Sequence, residues 1–510
     1  MRTQLKMAVP AIIVVWISSV ILLWPAHGAV FGWDEVDYIN AAKLGISVNA
    51  LERNSLSPLA YYDFARAKSS GKPPNLPSNY DENLDTLLLR HYHPPLVVLI
   101  LSLIPNLDSE RAARSVQILG ALILTLAIFS SYFSVSSSPS WFGVMIISLY
   151  ALWVNISMFK TISFHGWAAI WITTSAGTLY LWRNNPRYIT GLALCVSLAL
   201  GLLTLETGIF VFGVVLGIVF GRLALQSGLF TGRESQRISW RQLIAGIFIV
   251  GLIVFAVWPG SIVKVSILKI PALYAYRIMQ GQEYARVSGM SGQLIESLSP
   301  MIPAIIGCIW VLIKDRERRS RLAPVVMIGL LYALLLTPFA LSPGYLLPGF
   351  APLICFIGVS VDRIRLKSGR LALAGLALGL ILATGVWRRA DANDEMSRED
   401  LKWLAENLTN RQALVDGGHI YQHYLGRRYD IRTISLSYDA KSLLLRERGE
   451  YRELRKEEIS DKLVVIQKRP QQSVDELDAG LLAECSKIDC NNIIVWDCSN
   501  SRFVQKADRR

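Results

Sequence analysis

The sequence predicts a mainly α protein: a polytopic transmembrane helical bundle of about eleven spans, followed by a small C-terminal α/β soluble domain. Three observations predict it. The 510-residue chain is 52% hydrophobic and only 18% charged, against about 25% charged in ordinary soluble proteins. Uncharged apolar runs recur as far as residue 387, and ~20 such residues cross a bilayer. Residues 388–510 hold 22 Lys and Arg against 22 Asp and Glu, so the whole net charge of +13 belongs to the hydrophobic part. There it reads as loop charge and lipid contact, which speaks against nucleic acid as a partner. A disordered chain, a disulfide-stapled miniprotein and an ordinary soluble enzyme are excluded. The division expected is a membrane domain over 1–387, including an outside segment 25–111, and a soluble domain over 388–510.

Met7–Trp24 is the first span. It follows Arg2 and Lys6, which keeps the N-terminus in the cytoplasm, and it reads as an uncleaved anchor. Later spans are expected at 112–134, 141–158, 162–182, 188–204, 207–222, 242–260, 298–313, 322–341, 345–361 and 371–387. Pro94–Pro105 is too short to cross and reads as a re-entrant or juxtamembrane helix. Glu206 interrupts the long apolar stretch 188–222 and reads as the tip of a hairpin. Four basic clusters test the layout: Arg183 with Arg187, Arg222 to Arg241, Lys314 to Arg321, and Arg363 to Arg370. With a cytoplasmic N-terminus all four fall on the cytoplasmic side. The other face receives 25–111, the loop near 159–165, Glu206, the loop 261–297, the turn at Ser342–Tyr345 and the tail.

In the tail, Ser397–Leu408 reads as a helix. Ala413–Val415, Leu463–Ile466 and Ile493–Trp496 read as strands, with a helix over Asp475–Glu484. Arg446–Glu458 is densely charged and reads as a solvated face. Cys195, Cys308 and Cys355 lie in spans and read as packing residues. Cys485, Cys490 and Cys498 lie outside, where one disulfide and one thiol are expected, the pairing left open.

Chemistry-bearing residues gather on the outer face. Gly32-Trp33-Asp34-Glu35-Val36-Asp37-Tyr38 places three carboxylates just past the first span. Such residues cap helices, and they also suit a general base that takes a proton from an attacking hydroxyl. Arg90-His91-Tyr92-His93-Pro94-Pro95 ends the same segment. The twin prolines fix a helix start, and cationic or imidazole groups before it suit a phosphate, although Arg and Tyr also anchor at interfaces. His165 follows Lys160 in the next outside loop. Glu206 is an ionisable residue in an apolar hairpin. Tyr345 opens a late span, and Lys264 and Lys269 lie in a loop long enough to form a lid. No P-loop, dinucleotide fingerprint, HExxH or GxSxG stands in a supporting context.

In order, the chain carries an Asp34-Glu35 pair with Tyr38, then His93-Pro94-Pro95-Leu96, then Arg111-Ala112-Ala113-Arg114, then Tyr345 to Pro348. That ordered set resembles the GT-C membrane glycosyltransferases, in the branch of protein O-mannosyltransferases and lipid A aminoarabinose transferases. The resemblance covers about 7–387. It departs at His93, where the family often has Lys, at His165, near which many members carry a second acid, at Glu206, where many have Lys, and at Gly344, where a basic residue is common.

The resemblance implies transfer of a sugar from a polyprenyl-phosphate carrier to a hydroxyl on a lipid, glycan or protein acceptor, with inversion, at a bacterial inner membrane. It implies Asp34 as base with Glu35 assisting, and Arg90, His93 and Tyr345 at the donor phosphate. Tyr38, His91, His165, Glu206, Lys264 and Lys269 are the further substrate-binding candidates. Membrane lipids are the remaining partner. No cofactor is demanded. Asp34, Glu35 and the histidines are of the type that can bind a divalent cation, but no ligand spacing requires one. A flippase for the same kind of lipid and a non-catalytic glycan-assembly relative are the rival readings. Against the flippase, no internal repeat is visible.

Overall fold

The computed structural model describes residues 2–51, 94–184, 187–205, 207–224, 240–259, 298–315, 319–336, 343–364, 367–384, 398–407, 412–415, 423–424, 433–435, 463–468, 485–490 and 493–497. These fall into two compact units. One comprises Met1–His27, Leu44–Arg53 and Arg90–Ala390. The other joins Gly28–Lys43 to the described parts of Asp391–Arg510.

The first unit is a bundle of apolar helices. Its described elements are α1 (Arg2–His27), α3 (Ile46–Leu51), α4 (Leu96–Leu101), α5 (Glu110–Val135), α6 (Trp141–Met158), α7 (Phe164–Asn184), α8 (Tyr188–Thr204), α9 (Gly208–Ala224), α10 (Trp240–Val257), α11 (Met301–Lys314), α12 (Arg319–Leu336), α13 (Pro343–Phe350), α14 (Ile354–Arg363) and α15 (Lys367–Ala383). The described part of each stretch expected to cross the membrane is mostly helical. Among the described residues, five helical stretches have both the length and the apolarity to cross: Gln4–His27, Glu110–Val135, Trp141–Met158, Trp240–Val257 and Leu346–Arg363. The last joins α13 to α14 through a 3-10 turn at Ala351–Leu353. Pro348 and Pro352 interrupt the α-helical ladder there, since neither can donate an amide hydrogen bond.

Local chemistry sets the boundaries. Ser109 caps α5, accepting from the Ala112 amide at 3.4 Å, and Ser140 caps α6, accepting from the Gly143 amide at 3.1 Å. α4 begins directly after Pro94-Pro95 and lasts six residues, well short of a span. α1 is longer than the apolar run that predicts it, because polar residues from Arg2 onward continue the helix.

Two polar nodes tie the bundle. Asn155 on α6 donates through Nδ2 to Ser19 Oγ on α1 (3.0 Å) and to Thr125 Oγ1 on α5 (2.9 Å). All three residues are buried. At the other node, Tyr132 Oη and Ser136 Oγ donate to one carboxylate oxygen of Asp362 at 2.9 and 2.7 Å. Ser140 donates to the other through its amide (2.9 Å) and its hydroxyl (2.6 Å). The turn between α5 and α6 is thereby fastened to the end of α14, where Arg363 pairs with Asp315. α12 and α13 approach backbone to backbone: a Cβ on Gly349 would lie 2.8 Å from the Gly329 carbonyl oxygen.

The second unit contains α2 (Trp33–Lys43), α16 (Arg398–Asn407) and a five-stranded sheet of β1 (Gln412–Val415), β2 (Thr433–Ser435), β3 (Leu463–Lys468), β4 (Ser486–Asp489) and β5 (Ile493–Asp497). The strand order is β2-β1-β3-β5-β4. β1 runs parallel to β2 and β3, with Ala413 opposite Thr433 and Val464. β5 runs antiparallel to β3 and β4, with Val495 opposite Ile466 and Ile488. β2 and β4 were not expected from the sequence. The helix expected over Asp475–Glu484 and the charged run Arg446–Glu458 lie outside the described residues. Cys485 is disulfide-bonded and Cys490 is a free thiol.

Candidate functional site

The acidic segment folds as the start of a helix. Gly32 is the last residue before α2, and its carbonyl accepts the first helical bond from the Val36 amide at 3.1 Å. Glu35, three residues on, turns back so that its Oε2 accepts from the Gly32 amide at 2.8 Å. This is the glutamate half of a capping box, which satisfies a donor that the helix leaves open. Glu35 is 2% exposed. Of the two adjacent acids, Glu35 therefore carries a structural duty. Asp34 stands beside it on the first turn of α2 by its backbone. Tyr38 is buried one turn further along.

The C-terminal chain closes over this segment within the same unit. Phe31 is fully buried. Its ring meets His423 edge-on, with centroids 5.6 Å apart, and stacks on Tyr424 at 6.3 Å. The Phe31 amide donates to Tyr424 Oη at 2.9 Å, and Arg398 Nη2 donates to the Gly28 carbonyl at 2.9 Å. His423 Nδ1 lies 3.5 Å from Asn40 Oδ1 on α2.

In the bundle, the basic entry to α5 has a definite role. Arg114 is wholly buried and donates to the carbonyls of Ala26 and His27, both at 3.2 Å. It caps the C-terminus of α1, where the helix dipole favours a cation. His27 Nε2 lies 3.0 Å from the Phe159 carbonyl. The Phe159 ring occupies room left by two glycines, since a Cβ on Gly120 or on Gly166 would lie 2.7 or 2.6 Å from it. Gln117, also fully buried, has neither amide atom paired among the described residues. Beside Phe159, Lys160 is half-buried, and desolvation holds its ammonium pKa below the ordinary lysine value. His165 sits on the first turn of α7, where Ser163 Oγ accepts from its amide at 3.2 Å.

Of the phosphate-binding candidates, Tyr345 is placed by its backbone on the first turn of α13. Arg90, His91, His93, Glu206, Lys264 and Lys269 lie outside the described residues. Helix α4 does start at the twin prolines, but six residues give a weak dipole. A phosphate near there would depend on side-chain charge. Sequence reasoning missed Arg114 and Tyr424 as partners of backbone groups, His423 as a partner of Asn40, and the half-buried state of Lys160. Among the described residues no cluster of three or more His, Cys, Asp or Glu is arranged to hold a metal.

A small crevice of about 10 Å³ opens between α7, α8 and α9 beside Trp171, Ser175, Ser197 and Gly201. Ser175 donates to Ser197 at 3.0 Å, and no charged side chain lines the crevice. A crevice this small and this apolar offers little to a sugar or a phosphate.

No family model matches the chain, and no curated protein matches it in sequence. Solved structures match it in fold. ArnT from Cupriavidus metallidurans bound to undecaprenyl phosphate has a TM-score of 0.56 at 13% identity, over 98% of this chain and 98% of that one. The same protein in the apo state gives 0.51 at 13% identity, over 90% and 96%. The Archaeoglobus fulgidus oligosaccharyltransferase in the apo form gives 0.54 at 11% identity, over 90% of this chain and 69% of that one. ArnT, a lipid A aminoarabinose transferase, and the oligosaccharyltransferase AglB are both GT-C membrane glycosyltransferases. The chain has their fold.

Proposed function

We propose that this integral membrane protein is a glycosyltransferase that moves a sugar from a polyprenyl-phosphate carrier to a hydroxyl acceptor, with inversion, on the outer face of a bacterial inner membrane. The observation that carries this reading is the likeness, over 98% of both chains, to ArnT bound to undecaprenyl phosphate. The acid pair on the first turn of α2 supports it, because it offers a base in a chain that otherwise resembles a lipid-phosphate enzyme.

In this mechanism the leaving group is a lipid phosphate, stable as an anion, so it needs positive charge more than a general acid. Arg90 and His93 supply that charge, with Tyr345 donating a hydrogen bond. Asp34 takes the proton from the acceptor hydroxyl as its oxygen attacks the anomeric carbon. A base of this kind contributes roughly 10²–10⁴-fold. Glu35, engaged with the Gly32 amide, fixes the helix that presents Asp34. His91, His165, Tyr38, Glu206, Lys264 and Lys269 are assigned to substrate contacts. A divalent cation bound near Asp34 remains compatible with these residue types and is not required by the scheme.

The sidedness proposed is a cytoplasmic N-terminus and an extracytoplasmic C-terminal chain. The disulfide at Cys485 supports it, because such bonds persist in oxidising compartments. The test is to incubate the purified protein, reconstituted in liposomes, with a panel of labelled polyprenyl-phosphate sugars and hydroxyl acceptors. Label appearing on an acceptor, and lost in Asp34→Asn, is the expected result. Lipid movement across the vesicle without transfer, or binding alone, would replace the enzyme with a flippase or a binding protein.

A further inference from the structure

Helix α2 is eleven residues long, and a helix that short is marginal without tertiary support. Its support is specific. Tyr424 Oη accepts from the Phe31 amide, one residue before the cap at Gly32. Arg398 fixes the Gly28 carbonyl, four residues before Gly32 on the lead-in to α2. The Phe31 ring is enclosed between His423 and Tyr424, which also meet each other at 4.9 Å between centroids. His423 then reaches Asn40, beyond the acid pair. The C-terminal chain thus grips α2 on both sides of Asp34 and Glu35.

We propose that Tyr424 and His423 are positioning residues for the Asp34–Glu35 pair, so that transfer depends on their hold on α2. The proposal rests on the reading of Asp34 as the base. A base must stand within hydrogen-bond reach of its proton, and a misplacement of about 1 Å can lower a rate by about 10²-fold. The amide of Phe31 and the ring beside it set where the first turn of α2 begins. Loss of the Tyr424 hydroxyl removes that anchor while leaving the ring that stacks on Phe31.

The test uses the full-length protein in nanodiscs, with Tyr424→Phe, His423→Gln and, as an independent hold on the lead-in to α2, Arg398→Gln. Two readouts are taken: amide hydrogen exchange over 28–43, and kcat and KM for the lipid-linked sugar. In Tyr424→Phe, exchange over 28–43 is expected to rise about tenfold while peptides over 110–135 stay unchanged. The kcat is expected to fall by about tenfold to a hundredfold, with KM for the donor within about twofold. Unchanged exchange in all three variants overturns the proposal whether or not an activity is found. Raised exchange with unchanged kcat overturns it as well, because the hold would then not matter to transfer. A wild-type protein that transfers no sugar defeats the proposed function, and the positioning role with it. The exchange data would then report the contact between the C-terminal chain and α2 by itself.

Discussion

The Glu35 carboxylate is hydrogen-bonded to the amide of Gly32, three positions earlier, at 2.8 Å. That bond separates the two neighbouring acids. Glu35→Gln keeps an acceptor oxygen for the Gly32 amide and is expected to retain most activity. Glu35→Ala leaves the donor open and is expected to loosen α2 by about 1 kcal/mol. Asp34→Asn is expected to lower transfer by about 10²–10⁴-fold with the fold intact. Initial rates on one donor, with thermal midpoints in detergent, distinguish the three. Equal losses in Glu35→Gln and Asp34→Asn would show that both acids share the chemistry.

The carboxylate of Asp362 gathers donors from Tyr132, Ser136 and Ser140. In Asp362→Ala the wholly buried Tyr132 hydroxyl loses its acceptor. The expected cost is about 2 kcal/mol, since an unpaired buried donor keeps its desolvation penalty. The thermal midpoint should fall by several degrees, while kcat per folded molecule stays near wild type.

Asn155→Leu should be mild by comparison. Ser19 and Thr125 lose the bond from Asn155, yet each hydroxyl still donates to its own helix, at Val15 and Ala121. No buried donor is stranded. A loss of about 0.6–1.7 kcal/mol is expected, in the range of interhelical hydrogen bonds within membranes, measured by unfolding in mixed micelles.

Lys160 gives a pH signature. Burial lowers its pKa in the folded protein, so the unfolded chain holds that proton more tightly. The penalty is full at pH values below the folded pKa. It fades as pH rises from there to the ordinary lysine value, so stability rises through that window. Lys160→Met is expected to raise the thermal midpoint at neutral pH, with the advantage shrinking toward alkaline pH. A pH-independent difference would mean that packing, and not charge, separates the variants.

How much was legible in the sequence follows from the range of each signal. Apolar runs are local, so 188–204 and 141–158 coincide with α8 and α6 to the residue. The three strands foreseen, around Ala413, Leu463 and Ile493, are the three inner strands of the sheet. The two missed, β2 and β4, are its edges. An edge strand is flanked on one side only, and Ser486–Asp489 is mostly exposed and polar, so no hydrophobic alternation marks it. The glycine-to-glutamate spacing of the α2 cap was also local and could have been read, since Gly tolerates the cap position. The Tyr424 contact with Phe31 spans 393 positions and that of Tyr132 with Asp362 spans 230. Pairings at that range leave no mark in a single sequence.

Helix α10 shows only Val250 as a buried position along Trp240–Val257. Eighteen residues at 1.5 Å each make about 27 Å of helix, close to the hydrocarbon thickness of a bilayer. The helix packs chiefly along α8, so it can adjust its own tilt to a thinner or thicker membrane more freely than the buried helices can. Apolar residues at its exposed positions, Ile244, Phe248 and Leu252 among them, should therefore interchange freely, while the knots at Asn155 and Asp362 hold the other helices in register.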